Sequence, residues 1–123
     1  MNKYQAYDAF WNRFGIPFYD ETSLPEKTEK PYGTYEASFD GFDEGKIALD
    51  ASLWYLGRSW EAAMLETDAI YKFIGEGGVT IPYDDGLMWI TRRSPFARRT
   101  GDESSDQIRR VILGVNIEFV DAF

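Results

Sequence analysis

Apolar and polar positions alternate through residues 46–56. Ile47, Leu49, Ala51, Leu53 and Tyr55 fall on one side, and Ala48, Asp50, Ser52, Trp54 and Leu56 on the other. A period of two sustained this long predicts a β-strand with one apolar face. Gly57 and Arg58 break the alternation, and the period then changes. Trp60, Ala63, Met64, Thr67, Ile70 or Tyr71, and Ile74 recur at spacings of three and four, which is one face of a helix. Ser59 stands where an N-cap belongs, and Glu61 puts a negative charge in the first turn, at the positive end of the helix dipole. Gly75 is a natural stop, since glycine takes a left-handed conformation without strain. A strand and a helix joined so closely are expected to pack on each other. Leu53 and Met64 should then be buried and near one another, with the other segments added to that unit.

Upstream, Tyr4, Tyr7, Phe10, Trp11 and Phe14 give residues Lys3 to Phe14 one aromatic helical face, ended by Gly15 and Pro17. Ile16 to Pro31 reads as a polar connection with a short extended piece at Ile16 to Tyr19. Tyr32 to Phe39 predicts a strand. The turn residues from Asp40 to Gly45 then make it an antiparallel hairpin with the strand that follows. Gly75 to Gly78 reads as a link. Val79 to Tyr83 and Leu87 to Arg93 form a second hairpin around Asp84-Asp85-Gly86. Ser94 to Gln107, with Pro95, Gly101 and a Ser-Ser pair, reads as a loop. In the last strand, Ile108 to Phe119, residues Val111, Leu113, Val115, Ile117 and Phe119 share one face. The order α-β-β-α-β-β-β predicts a single α+β domain over residues 1–123, a mostly antiparallel sheet flanked by two helices.

Composition narrows the chemistry. The chain has no cysteine, so neither disulfides nor thiolate chemistry are open to it. It has no histidine, which removes the commonest general base and the commonest metal ligand. The formal charge is -8, from 21 acids against 13 bases, a poor balance for gripping phosphates. Gly75 to Gly78 lacks the Lys-Ser or Lys-Thr of a phosphate-binding loop. Asp40, Asp43 and Glu44 lack the spacing of a twelve-residue calcium loop and read as a solvated turn. No carboxylate pair stands in a context that would raise one pKa. The expectation is a protein that is not an enzyme, with no catalytic residues, no cofactor and no metal. No apolar run approaches a membrane span, and the N-terminus lacks a signal-peptide pattern, so the chain is expected in the cytoplasm or in a particle built there. Aromatics are 17% of the residues, enough for a wide core or for subunit interfaces, where they are enriched.

Arginine is unevenly placed. Six of the eight lie between Arg92 and Arg110, as the pairs Arg92-Arg93, Arg98-Arg99 and Arg109-Arg110. Three readings stay open: charge balancing with Asp102, Glu103 and Asp106 inside the subunit, docking on acidic surface of another subunit, and nucleic-acid binding. On a strand, adjacent residues point to opposite faces, so each pair on a strand should split between the core side and solvent. In the docking reading Phe96 anchors in an apolar notch of a neighbouring subunit, Arg98 and Arg99 pair with acids there, and Arg92 and Arg93 belong to the same interface.

The ordered pieces Phe10-Trp11, Phe14-Gly15-Ile16-Pro17-Phe18-Tyr19, Pro31-Tyr32-Gly33-Thr34-Tyr35, Leu53-Trp54-Tyr55, Ser59-Trp60, Pro95-Phe96-Ala97-Arg98-Arg99 and Ile108-Arg109-Arg110 resemble the tail terminator, or tail-to-head joining, proteins of long-tailed, siphovirus-type bacteriophages and prophages. The resemblance spans nearly the whole chain. It implies a central antiparallel sheet with flanking helices. It also implies a hexameric ring at the neck of the virion that caps the tail tube, stops its polymerisation and meets the head connector. Its partners would be copies of itself, the tail tube protein and the head-neck connector protein. DNA would only pass through the channel, no membrane would be involved, and assembly would take place in the bacterial cytoplasm. The family offers no catalytic residues to carry over. The interface residues above come from this sequence, their partner being the next ring subunit or the tail tube, as does the expectation that Asp40, Asp43 and Glu44 line the channel, where like charge keeps DNA from sticking. A head-completion or neck adaptor protein is the nearest alternative, and a small nucleic-acid-binding regulator using the Arg92 to Arg110 cluster is one of another class.

Overall fold

The computed structural model describes residues 1–39, 46–102 and 105–121. The chain runs α1 (Lys3–Trp11), β1 (Phe18–Asp20), β2 (Tyr32–Tyr35), β3 (Ile47–Leu56), α2 (Glu61–Ile74), β4 (Val79–Tyr83), β5 (Gly86–Asp102) and β6 (Ser105–Asp121). The strands form one sheet in the order β1-β2-β3-β6-β5-β4, antiparallel except for the β1–β2 pair. This is an α+β domain, as the sequence predicts, with the short extended piece realised as β1.

Both helices lie on one face of the sheet. That face carries Leu49, Ala51 and Leu53 of β3, Val111, Leu113, Val115 and Ile117 of β6, and Met88 and Ile90 of β5, all buried. Tyr7, Phe10 and Trp11 of α1 and Ala63, Ile70 and Ile74 of α2 close over them. The alternation in β3 and β6 therefore sorts residues as expected. Among the described residues, no helix covers the opposite face.

Local chemistry sets the element ends. Asn2 caps α1 in a capping box with Gln5, its side chain accepting from the Gln5 N–H at 2.9 Å. The helix stops at Trp11 rather than Phe14 because Asn12 diverts the chain. Its Nδ2 donates to the Asp8 carbonyl at 2.9 Å, and its Oδ1 accepts from the Phe18 N–H at 2.9 Å, tying the helix end to β1. Likewise β2 ends at Tyr35 rather than Phe39, since Phe39 turns inward onto Tyr7 and Phe119, with ring centroids 5.2 Å away in each case. Gly75 ends α2 with φ of 75°, as expected. Ser59 lies one residue outside the N-cap position, yet its Oγ accepts the Glu61 N–H at 3.1 Å.

Two expectations are corrected. Met64 is 37% exposed, because the buried stripe of α2 is Ala63, Thr67, Ile70 and Ile74, one position round the helix. Leu53 is fully buried as expected. The stretch Ser94 to Gln107 is not a loop: β5 and β6 continue through most of it as a 17-residue hairpin pair. Pro95 cannot donate to the ladder, and the strand absorbs it in a bulge. Arg92 pairs with Val115 and Ala97 with Leu113, so the four residues from Arg93 to Phe96 stand opposite Gly114 alone.

Candidate assembly surface

The long hairpin positions the arginines, and the pleat splits each pair. Arg92 turns to the helix side, its Cζ 3.7 Å from the centre of the Tyr71 ring of α2. Arg93 turns to the open face and pairs with Asp50 at 3.2 Å. Arg109 faces α2: its Nε and Nη2 donate to the Arg58 carbonyl at 3.2 and 3.0 Å, and its Cζ lies 5.4 Å from the Trp60 ring. Arg99 approaches the same ring at 5.1 Å. Arg110 lies on the open face, 4.5 Å from the Trp54 ring, and donates to Ser52 Oγ at 3.2 Å. Cation–π contacts of this kind let a guanidinium cover an apolar ring while its own edge stays polar.

Of the proposed docking residues, Arg98 and Arg99 are exposed, and Arg92 and Arg93 are half-buried and engaged within the subunit. Phe96 is corrected as an outward anchor. It is 9% exposed, belongs to the core and packs on Tyr71 with ring centroids 5.5 Å apart. The bulge turns its side chain inward, and burial of a Phe ring favours that placement by about 2 kcal/mol. The channel candidates Asp40, Asp43 and Glu44 lie outside the described residues, as do the side chains of Asp102, Glu103 and Asp106.

An apolar groove not expected from the sequence lies beside the Trp60 cluster. It lies where β3 meets α2, is lined by Leu56, Gly57, Arg58, Ser59, Glu61, Ala62 and Leu65, and encloses about 390 Å³. Leu56 is 65% exposed and Leu65 64%. The Gly57 N–H donates to the Gln107 carbonyl at 2.8 Å, fixing this connection to the hairpin. Arg99, Arg109 and Trp60 thus stand close to the groove. Tyr55 and Glu66, next in sequence to the two leucines, are neighbours. Burial pushes the Tyr55 hydroxyl up to about 12, with the Glu66 charge adding to it, and desolvation raises the Glu66 carboxyl. A signal for the groove was present in the sequence. Leu56 falls on the polar side of its strand's alternation, and Leu65 falls off the apolar stripe of its helix.

On the open face a second run of rings crosses three strands. Tyr32 and Trp54 stack with centroids 6.2 Å apart, Tyr19 meets Tyr32 at 6.4 Å, and Arg110 caps Trp54. Among the described residues no cluster of acidic side chains could hold a metal ion, and no helix is long and apolar enough to cross a membrane. No family model, no curated protein and no solved structure matches this chain.

Proposed function

We propose that this chain is a structural subunit that assembles with copies of itself into a closed ring, of the kind that terminates and joins the tail of a long-tailed phage. The observation that carries the reading is the groove at Leu56 and Leu65. Two large aliphatic side chains stand nearly two-thirds exposed side by side, next to a tryptophan flanked by two arginines. Burying an exposed Leu contributes about 1.5–3 kcal/mol. Tryptophan and arginine are also the residues that dominate binding energy at interface centres. An apolar patch rimmed by such residues fits a protein surface.

In a ring of more than two subunits the groove meets a different surface of the next subunit, a head-to-tail contact. Contacts of that type close into rings when the rotation permits. The net charge of -8 supports a ring through which DNA slides without being held. The specific position in a virion, as tail terminator rather than as another neck adaptor, rests on the sequence resemblance.

The test is an assembly assay. Leu65→Arg, at an exposed helix position, should give a folded protein that no longer forms rings and no longer caps growing tail tubes. Tubes of normal, uniform length made with that variant would reject the groove as the assembly contact.

A further inference from the structure

The β5 bulge opens a second concavity on the uncovered face of the sheet. It encloses about 280 Å³, with Asp50, Arg93, Arg98 and Gly114 in its lining. Its polar groups are unequal. Arg93 is held by Asp50 at 3.2 Å, whereas Arg98 is exposed and has no partner among the described residues. The cleft therefore carries two guanidinium groups against one carboxylate, inside a chain of strong net negative charge. Gly114 lets Arg93 lie close against β6: a Cβ there would stand 3.1 Å from Arg93 Nε and 3.2 Å from Arg93 Cβ, tight enough to make the arginine shift slightly. A pocket of this size with a spare planar fork fits a carboxylate, which arginine binds in bidentate fashion.

We propose that this cleft accepts a carboxylate from the β1–β2 connection of a second copy of the chain. That connection, residues 21–31, presents Glu21, Glu26 and Glu29, all exposed and without an ion pair among the described residues. Its start is anchored to β1 and β2 by hydrogen bonds. The Thr22 N–H and hydroxyl both donate to Asp20 Oδ1, at 2.9 and 2.7 Å, and the Glu21 N–H donates to the Tyr35 carbonyl at 2.9 Å. Glu21 then has little backbone ordering left to do on docking. Within the subunit none of these acids forms an ion pair with Arg93 or Arg98, so the cleft is open to the acids of another copy. An acidic edge and a basic cleft on different parts of one subunit are complementary patches for a head-to-tail contact. This inference rests on the ring reading and adds a second, charge-bearing contact to the apolar one.

The experiment uses the full chain with Arg98→Glu, with the triple change Glu21→Arg, Glu26→Arg and Glu29→Arg, and with all four changes together. Sedimentation velocity measures assembly, and thermal melting confirms folding. Each of the first two proteins should assemble at least tenfold more weakly than wild type with an unchanged melting temperature, and the fourfold variant should recover assembly. If Arg98→Glu assembles like wild type while Leu65→Arg does not, the cleft proposal falls and the ring reading stands. If the fourfold variant fails to recover, the glutamates are not the occupant. A wild-type chain that stays monomeric overturns both.

Discussion

Phe96 and Tyr71 join the β5 bulge to helix α2, their rings 5.5 Å apart and inclined at 59°. Arg92 sits over the same tyrosine at 3.7 Å. The bulge thus faces two ways. Its aromatic side chain is locked into the core, while Arg93 and Arg98 edge the cleft on the opposite face of the sheet. Phe96→Ala should destabilise the fold by about 3–5 kcal/mol through loss of burial and the cavity left behind. Chemical denaturation measures this. A change under 1 kcal/mol would mean that the ring is not part of the core.

Gly33 is required by close approach. It pairs with Phe18 in the register of β1 and β2, and a Cβ at position 33 would overlap the Phe18 ring. Phe18 cannot move aside freely, since it is 3% exposed and stacked on Trp11 with centroids 5.2 Å apart. Gly33→Ala should cost about 1–3 kcal/mol by overpacking. Loss of the Phe18–Trp11 stack should show as a change in tryptophan fluorescence. An unaltered spectrum and melting temperature would contradict that packing.

The Tyr7 hydroxyl is buried beside the Trp11 indole N–H, and neither makes a hydrogen bond of standard geometry among the described residues. A buried polar group left unpaired costs about 1–3 kcal/mol. Tyr7→Phe keeps the ring contacts with Trp11, Tyr35 and Phe39 and removes that cost. The variant should melt at the wild-type temperature or a few degrees higher. A clear loss of stability would reveal a partner for the hydroxyl.

Alkaline pH should unfold the protein through its tyrosines. Burial raises the hydroxyls of Tyr7, Tyr35, Tyr55 and Tyr83, and Tyr35 and Tyr83 also donate to Asp8 and Asp121. A raised folded pKa means that the unfolded chain gives up its protons first. The stabilisation is therefore complete below about pH 10, the unfolded tyrosine value, and is lost as pH rises through the folded values. With no histidine in the chain, no imidazole transition is superimposed near neutrality. A melting temperature unchanged between pH 9 and pH 12 would be inconsistent with these buried hydroxyls.

The helix-side layer could be read from the sequence because apolar residues kept strict periods there, as Leu49 to Leu53 and Val111 to Ile117 show. The hairpin end could not. From Ala97 onward β5 reads Ala-Arg-Arg-Thr-Gly-Asp, with no aliphatic alternation to mark its inner face. What tells the inner side from the outer is which guanidinium covers which ring: Arg99 on Trp60 inside, Arg110 on Trp54 outside. Such pairing depends on register, which Pro95 and its bulge conceal by shifting it. The alternating faces of the paired arginines were foreseeable once those residues were on strands. The inward turn of Phe96 follows from the bulge and was not foreseeable. The groove at Leu56 and Leu65 arises only when the strand end and the helix start are brought together.

The most direct measurement is sedimentation velocity of the full-length chain across a wide concentration range, with electron microscopy of the same samples. Closed rings of one size, lost in Leu65→Arg with the melting temperature retained, are the result expected of a self-assembling ring subunit. A particle with the mass of a single chain at every concentration, or a Leu65→Arg protein that forms rings as the wild type does, would contradict it.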